Sequence, residues 1–183
     1  EQENPRAGAL EILRRWSAGT KFAADLLEND FRRRGRSPQS RARMTALVNG
    51  VIRRKRELDW LIDRFSRKKA PSYRAISRQI LRLALFELID AGGGPDYAIV
   101  HQAGELADAL LSRREKGYVN AVLRTFLRKK NNLPYPPPTE TDLYLSVTLS
   151  HPRWLLARWR RWMTPEELES VCRADNLPPP FFI

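Results

Sequence analysis

The chain has 183 residues, 33 Lys and Arg against 21 Asp and Glu, and a net charge of +12. That length holds one domain with a real core plus an appendage, and a hydrophobic fraction of 42% excludes wholesale disorder. No apolar run reaches the ~20 residues of a membrane span, Glu1, Gln2 and Glu3 do not begin a secretory signal, and one cysteine with two histidines makes neither a disulfide nor a zinc cluster.

Apolar spacing is helical almost everywhere. Leu10, Leu13 and Trp16 mark a first short helix, and Phe22, Leu26 and Leu27 a second. Met44, Leu47, Val48, Val51 and Ile52 recur at i, i+3, i+4, i+7 and i+8, which predicts a third. Leu58, Leu61, Ile62 and Phe65 continue that pattern until Pro71 interrupts it. The segment 76–89 is apolar over most of its circumference, as a central buried helix should be. Gly92, Gly93 and Gly94 close it, since glycine accepts the left-handed dihedral at a helix end. Pro95 and Asp96 open a sixth helix carried by Val100, Ala103, Ala107 and Leu110. Val119, Val122, Leu123, Phe126 and Leu127 carry a seventh, with Arg128, Lys129 and Lys130 where the helix dipole favours cations.

With no lasting β alternation, these predict an all-α bundle of about seven helices over 1–132. The string 133–138 (LPYPPP) reads as a stiff boundary, and 133–150 as a proline-containing linker. Beyond it, 151–183 reads as a short helical extension, with one helix near Trp154, Leu155 and Trp159 and another N-capped at Thr164 before Pro165. Pro178, Pro179 and Pro180, then Phe181, Phe182 and Ile183, read as an extended linker running into a strand. The chain therefore reads as a fragment of something longer.

A charge surplus of this size costs self-repulsion, so it points to a polyanionic partner, nucleic acid before membrane. Ten cations without one interleaved acid lie between 31 and 56: Arg32, Arg33, Arg34, Arg36, Arg41, Arg43, Arg53, Arg54, Lys55 and Arg56. Nine are arginines, which grip phosphate through a planar fork. With Arg128, Lys129 and Lys130 they form the candidate RNA-binding set, expected to project together from one face. A helix-turn-helix over 37–65 fits poorly, because 53–56 falls between helices rather than at the start of a recognition helix.

Catalytic candidates fail in turn. The triple glycine lacks the Lys-Ser/Thr of a phosphate loop. Asp59 and Asp63 read as ion pairs with Arg56 and Arg67. His101 reads as a polar surface residue or an interhelix hydrogen-bonder rather than a base, and Cys172 as a small core residue that suits a reducing cytoplasm. Trp154, Trp159 and Trp162, interleaved with arginines, could stack on bases, but packing between short helices is the preferred reading. No catalytic residue and no metal ligand is assigned.

Several strings combine into a resemblance. The run 46–54 (ALVNGVIRR) with 58–62 (LDWLI), the segment 77–88 (SRQILRLALFEL), Pro95 with Ala98, Ile99, Val100, Glu105, Leu106 and Ala107, and 116–124 (KGYVNAVLR) resemble in order the signatures of the NusB-like fold. Two kinds of protein share it: the transcription antitermination factor, and the N-terminal domain of RsmB (Sun/Fmu) ribosomal RNA cytosine-5 methyltransferases. The tail favours the second. Ser150, His151, Pro152, Arg153, Trp154, Leu155 and Leu156, with Arg158 and Trp159, resemble that family's "SHPxWLxxRW" segment, and Asn176 with Pro178, Pro179 and Pro180 resembles its "NxPPP". His101, Gln102 and Gly104 depart from the pattern.

The resemblance implies an RNA-docking part of an S-adenosylmethionine-dependent enzyme acting on small-subunit ribosomal RNA in the cytoplasm. The cofactor and catalytic cysteines would lie beyond Ile183, with none in this fragment. The alternative is a free-standing antitermination or adaptor protein, binding RNA together with a protein partner or as a homodimer.

Overall fold

The computed structural model describes residues 4–19, 21–66, 75–90 and 94–177. Every regular element among them is a helix. Seven lie in the first 129 residues: α1 (Pro5–Ser17), α2 (Ala23–Arg34), α3 (Pro38–Arg53), α4 (Lys55–Phe65), α5 (Ala75–Ile89), α6 (Asp96–Leu110) and α7 (Arg113–Lys129). Local chemistry sets their ends. Asn4 accepts from the Arg6 and Ala7 amides ahead of Pro5, Ser37 caps α3 ahead of Pro38, and Ser112 and Glu115 close a reciprocal capping box on α7. Gly35 ends α2 in the left-handed region at φ 57°. Pro71, Gly92 and Gly93, expected to punctuate the fourth and fifth helices, lie outside the described residues, as do Arg67 and residues 178–183.

α5 occupies the centre, as its all-round apolar circumference predicts. It packs against α1, α3, α4, α6 and α7 and buries Ile80, Leu81, Leu83, Ala84, Leu85 and Leu88. Gly50, in the middle of the ALVNGVIRR string, faces it. A Cβ there would meet the Phe86 ring at 2.1 Å, so only glycine lets α3 and α5 approach this closely.

The segment 133–150 departs from a plain linker, because it contains α8 (Thr141–Thr148), which packs against α4. Tertiary burial of Leu145 and Val147 offsets the weak helix propensity of so short and β-branched a string. The stretch before α8 is also fastened to α4. The Trp60 indole N–H donates to the Pro134 carbonyl at 2.8 Å, and the Tyr135 hydroxyl donates to the buried Glu57 carboxylate. That burial and the neighbouring Glu57 charge raise the Tyr135 pKa.

α9 (Arg153–Trp159) and α10 (Pro165–Asp175) complete the extension around a small second core of Leu145, Leu156, Leu168 and Cys172. Thr164 and Glu167 form a capping box on α10, with Pro165 at its first position. The Ser150, His151, Pro152 motif is the joint. Ser150 takes a positive φ of 58°, and its hydroxyl accepts from the Glu57 amide at 3.1 Å. It thereby caps α4, which has no cap of its own from Arg54. His151 is buried, its Nδ1 is 2.7 Å from the Leu149 carbonyl, and its ring lies against Trp159.

Candidate nucleic-acid interface

The arginine-rich stretch does not project as one outward face. It holds no acid in sequence, but folding brings carboxylates from both flanks and from α5. Arg36 is 9% exposed and bonds Asp30 at 3.0 Å, while Arg34 takes the other Asp30 oxygen. Arg43 pairs with Glu87, itself 3% exposed and also held by Arg6. Arg54 grips Glu57 with two hydrogen bonds, at 2.6 and 2.8 Å. Arg32 pairs with Glu28 on the surface, and Lys55 with Asp59. Arg41 donates to the Arg36 carbonyl and lies over the Phe31 ring.

The reason is periodicity. At 100° per residue, consecutive cations fan around a helix, and those turned inward need a counter-ion to be buried at all. Arg36, Arg43 and Arg54 are therefore structural ion-pair partners rather than free cations. Among the described residues, Arg33, Arg53 and Arg56 keep no carboxylate within ion-pair reach, and neither do Arg128 and Lys129; Lys130 is taken by Asp96.

Nor do the two ends of the set share a face. α2 packs on α1 and α3, α7 packs on α4, α5 and α6, and α5 lies between. Near α2, the guanidinium groups of Arg15, Arg33 and Arg34 line a polar cup of about 310 Å³ with Asn29 and Asp30.

Around α7 the arrangement differs. Val119, Val122, Leu123 and Phe126 turn inward, so Arg114, Tyr118, Ala121, Thr125 and Arg128 follow one another along the opposite stripe. With Arg124 and the end of α4, Phe65 and Ser66, they line a groove of about 820 Å³. Its described lining contains three arginines and no acid. Ser66 and the Tyr118 hydroxyl hydrogen-bond at 2.8 Å, and Phe65 stands edge-on to Phe126. Arg114 and Arg128 lie ~21 Å apart along the axis, a rail of charge beside a half-buried aromatic ring. Such a surface can hold successive phosphates of a strand and leave a base against Tyr118. Sequence reading reached only Arg128 of the three. Arg114 belongs to a short group with Arg113 and Lys116, Arg124 stands alone in the string, and only folding places both on one groove.

The remaining candidates fall elsewhere. Asp59 binds Arg78 and Arg82 besides Lys55, and Asp63 binds Arg78, so these acids are ion pairs as expected, with Arg56 not among the partners of Asp59 and Arg67 outside the described residues. Burial works to raise the Asp59 carboxyl, but the Arg82 and Arg78 guanidinium groups outweigh it and hold the pKa below the usual carboxylate range. His101 is exposed, 3.8 Å from Glu105. Cys172 is fully buried, and burial, with Asp175 and Glu169 nearby, pushes its thiol up to about 11. It is a core residue rather than a nucleophile. Among the three tryptophans of the extension only Trp159 packs inward. Trp154 and Trp162 are 67% and 83% exposed, against the expectation of interhelical packing.

Comparison with known proteins follows the same outline. Residues 3–128 match the model of the NusB family. The chain is 30% identical over 172 residues to a probable ribosomal RNA small subunit methyltransferase B of Bacillus subtilis (strain 168), covering 93% of this chain and 38% of that protein. It is 29% identical over 147 residues to ribosomal RNA small subunit methyltransferase B of Shigella flexneri serotype 5b and of Escherichia coli O157:H7, covering 80% of this chain and 33% of each. The chain thus spans about a third of the length of these relatives.

Proposed function

The chain belongs to the NusB family, and from that premise we propose that it is the RNA-docking part of a cytoplasmic, S-adenosylmethionine-dependent small-subunit ribosomal RNA cytosine-5 methyltransferase. The groove of Arg114, Arg124 and Arg128 along α7, with no acid among its described lining residues, carries the RNA-binding half of this reading. The relatives' printed names and the docked extension favour it over a free-standing antitermination factor. Phosphate contacts along α7, with Lys129 beside them and Arg33, Arg53 and Arg56 (without a carboxylate partner among the described residues) adding charge elsewhere, supply affinity and register while carrying little sequence information. The chain's task is to present the strand so that the target base can be drawn into a pocket elsewhere in the protein.

The methyl group would come from S-adenosylmethionine, but the described residues do not fit that cofactor. They form helices only, with no strand-to-helix turn to hold its ribose and methionyl groups, and the one thiol is buried. No step of the transfer is assigned to them. Among the described residues no helix is long and apolar enough to cross a membrane.

The test is direct binding of the chain to naked small-subunit ribosomal RNA fragments in a mobility-shift assay. Retardation at micromolar protein, lost as salt rises, is expected. Binding that appears only with an added protein partner would favour the adaptor instead.

A further inference from the structure

The exposed tryptophans of the extension fall into a pattern of their own. α9 ends at Trp159, but the backbone keeps turning: the Trp162 amide donates to the Trp159 carbonyl at 2.9 Å, and the Arg161 amide to the Arg158 carbonyl. Helical spacing therefore applies from 153 to 162. Leu156 and Trp159, with Met163, point into the second core. Trp154, Arg158, Arg161 and Trp162 stand at i, i+4, i+7 and i+8 and fall on one stripe of the opposite side. All four are exposed. Among the described residues Arg158 and Arg161 have no carboxylate partner, whereas the neighbouring Arg160, off the stripe, is tied to Asp142. Two indoles are thus held ~12 Å apart with two free guanidinium groups between them.

Water-exposed tryptophan is costly unless it meets a partner. A purely apolar protein surface would strand two unpaired charges on contact. Flat faces for bases with cations for the intervening phosphates are the features of a single-stranded nucleic acid platform. We infer that Trp154, Arg158, Arg161 and Trp162 form a base-stacking site for single-stranded RNA on the extension, separate from the α7 groove. The inference rests on the RNA-docking reading and adds to it that part of the bound RNA is unpaired. The site is independent of sequence, because every base offers a π face.

The experiment titrates the chain with a single-stranded oligouridylate and with an RNA duplex of equal length, reading tryptophan fluorescence and anisotropy. The single strand should quench emission and the duplex should not. Trp154→Ala with Trp162→Ala should remove the quenching and weaken binding roughly tenfold or more, with helical circular dichroism unchanged because neither ring is in a core. Phenylalanine at both positions should restore most of the affinity without the quenching. If RNA binds through the α7 arginines but the alanine variant binds the oligouridylate as tightly as the parent, the stacking site is overturned and the docking reading stands. If no RNA of either kind binds, both fall.

Discussion

Replacing Arg114, Arg124 and Arg128 together by glutamine tests the groove through the salt dependence of binding. Each phosphate neutralised on a single strand adds about 0.7 to the slope of log K against log salt, so three lost contacts should flatten it by about 2.1. Between 50 and 200 mM salt, the parent's affinity should then fall about 18-fold more than the variant's. None of the three arginines has a carboxylate partner among the described residues, so circular dichroism and the unfolding midpoint should stay close to the parent's. Fluorescence anisotropy of a labelled ribosomal RNA fragment across that salt range gives both slopes. Arg43→Gln is the control. It leaves a 3% exposed Glu87 with one partner fewer, so it should lower stability while the folded protein keeps the parent slope. Parallel lines for the triple variant and the parent would refute the groove as the phosphate-binding surface.

Other expectations concern the scaffold. Gly50→Ala should cost about 2 kcal/mol in urea unfolding, because the new methyl would overlap the Phe86 ring. Ser150→Ala should cost about 1 kcal/mol, since the α4 amide of Glu57 loses its cap; an unchanged midpoint would show that water replaces the hydroxyl. Asp59→Asn should cost about 3 kcal/mol at neutral pH by leaving Arg82 and Arg78 without their shared counter-ion. The folded pKa of Asp59 is depressed, so its contribution is present above the ordinary 3.8 and fades as pH falls through that value toward the folded one. The gap between parent and variant should therefore close in acid. A gap that stayed constant down to pH 2 would contradict this account.

Much of the fold was legible without coordinates. Helical periodicity placed all seven helices of the bundle, and the unbroken apolar circumference of 76–89 marked α5 as central. Capping residues marked ends because they act within one turn, as at Thr164 and Pro165. α8 escaped notice, since its burial against α4 is long-range and its eight residues carry little helical signal of their own.

The candidate binding surface was legible only in part. Sequence by itself determined the charge surplus, the helices that bear it and the resemblance that named a family, because composition, period and motif are local properties. Which cations remain free was decided by tertiary structure alone. Glu57, Asp30 and Glu87 reach Arg54, Arg36 and Arg43 only after folding, and Arg114, Arg124 and Arg128 become one rail only when α7 turns its apolar side to α5. Burying a charge demands a partner, and a linear run of residues does not say which distant carboxylate will supply it.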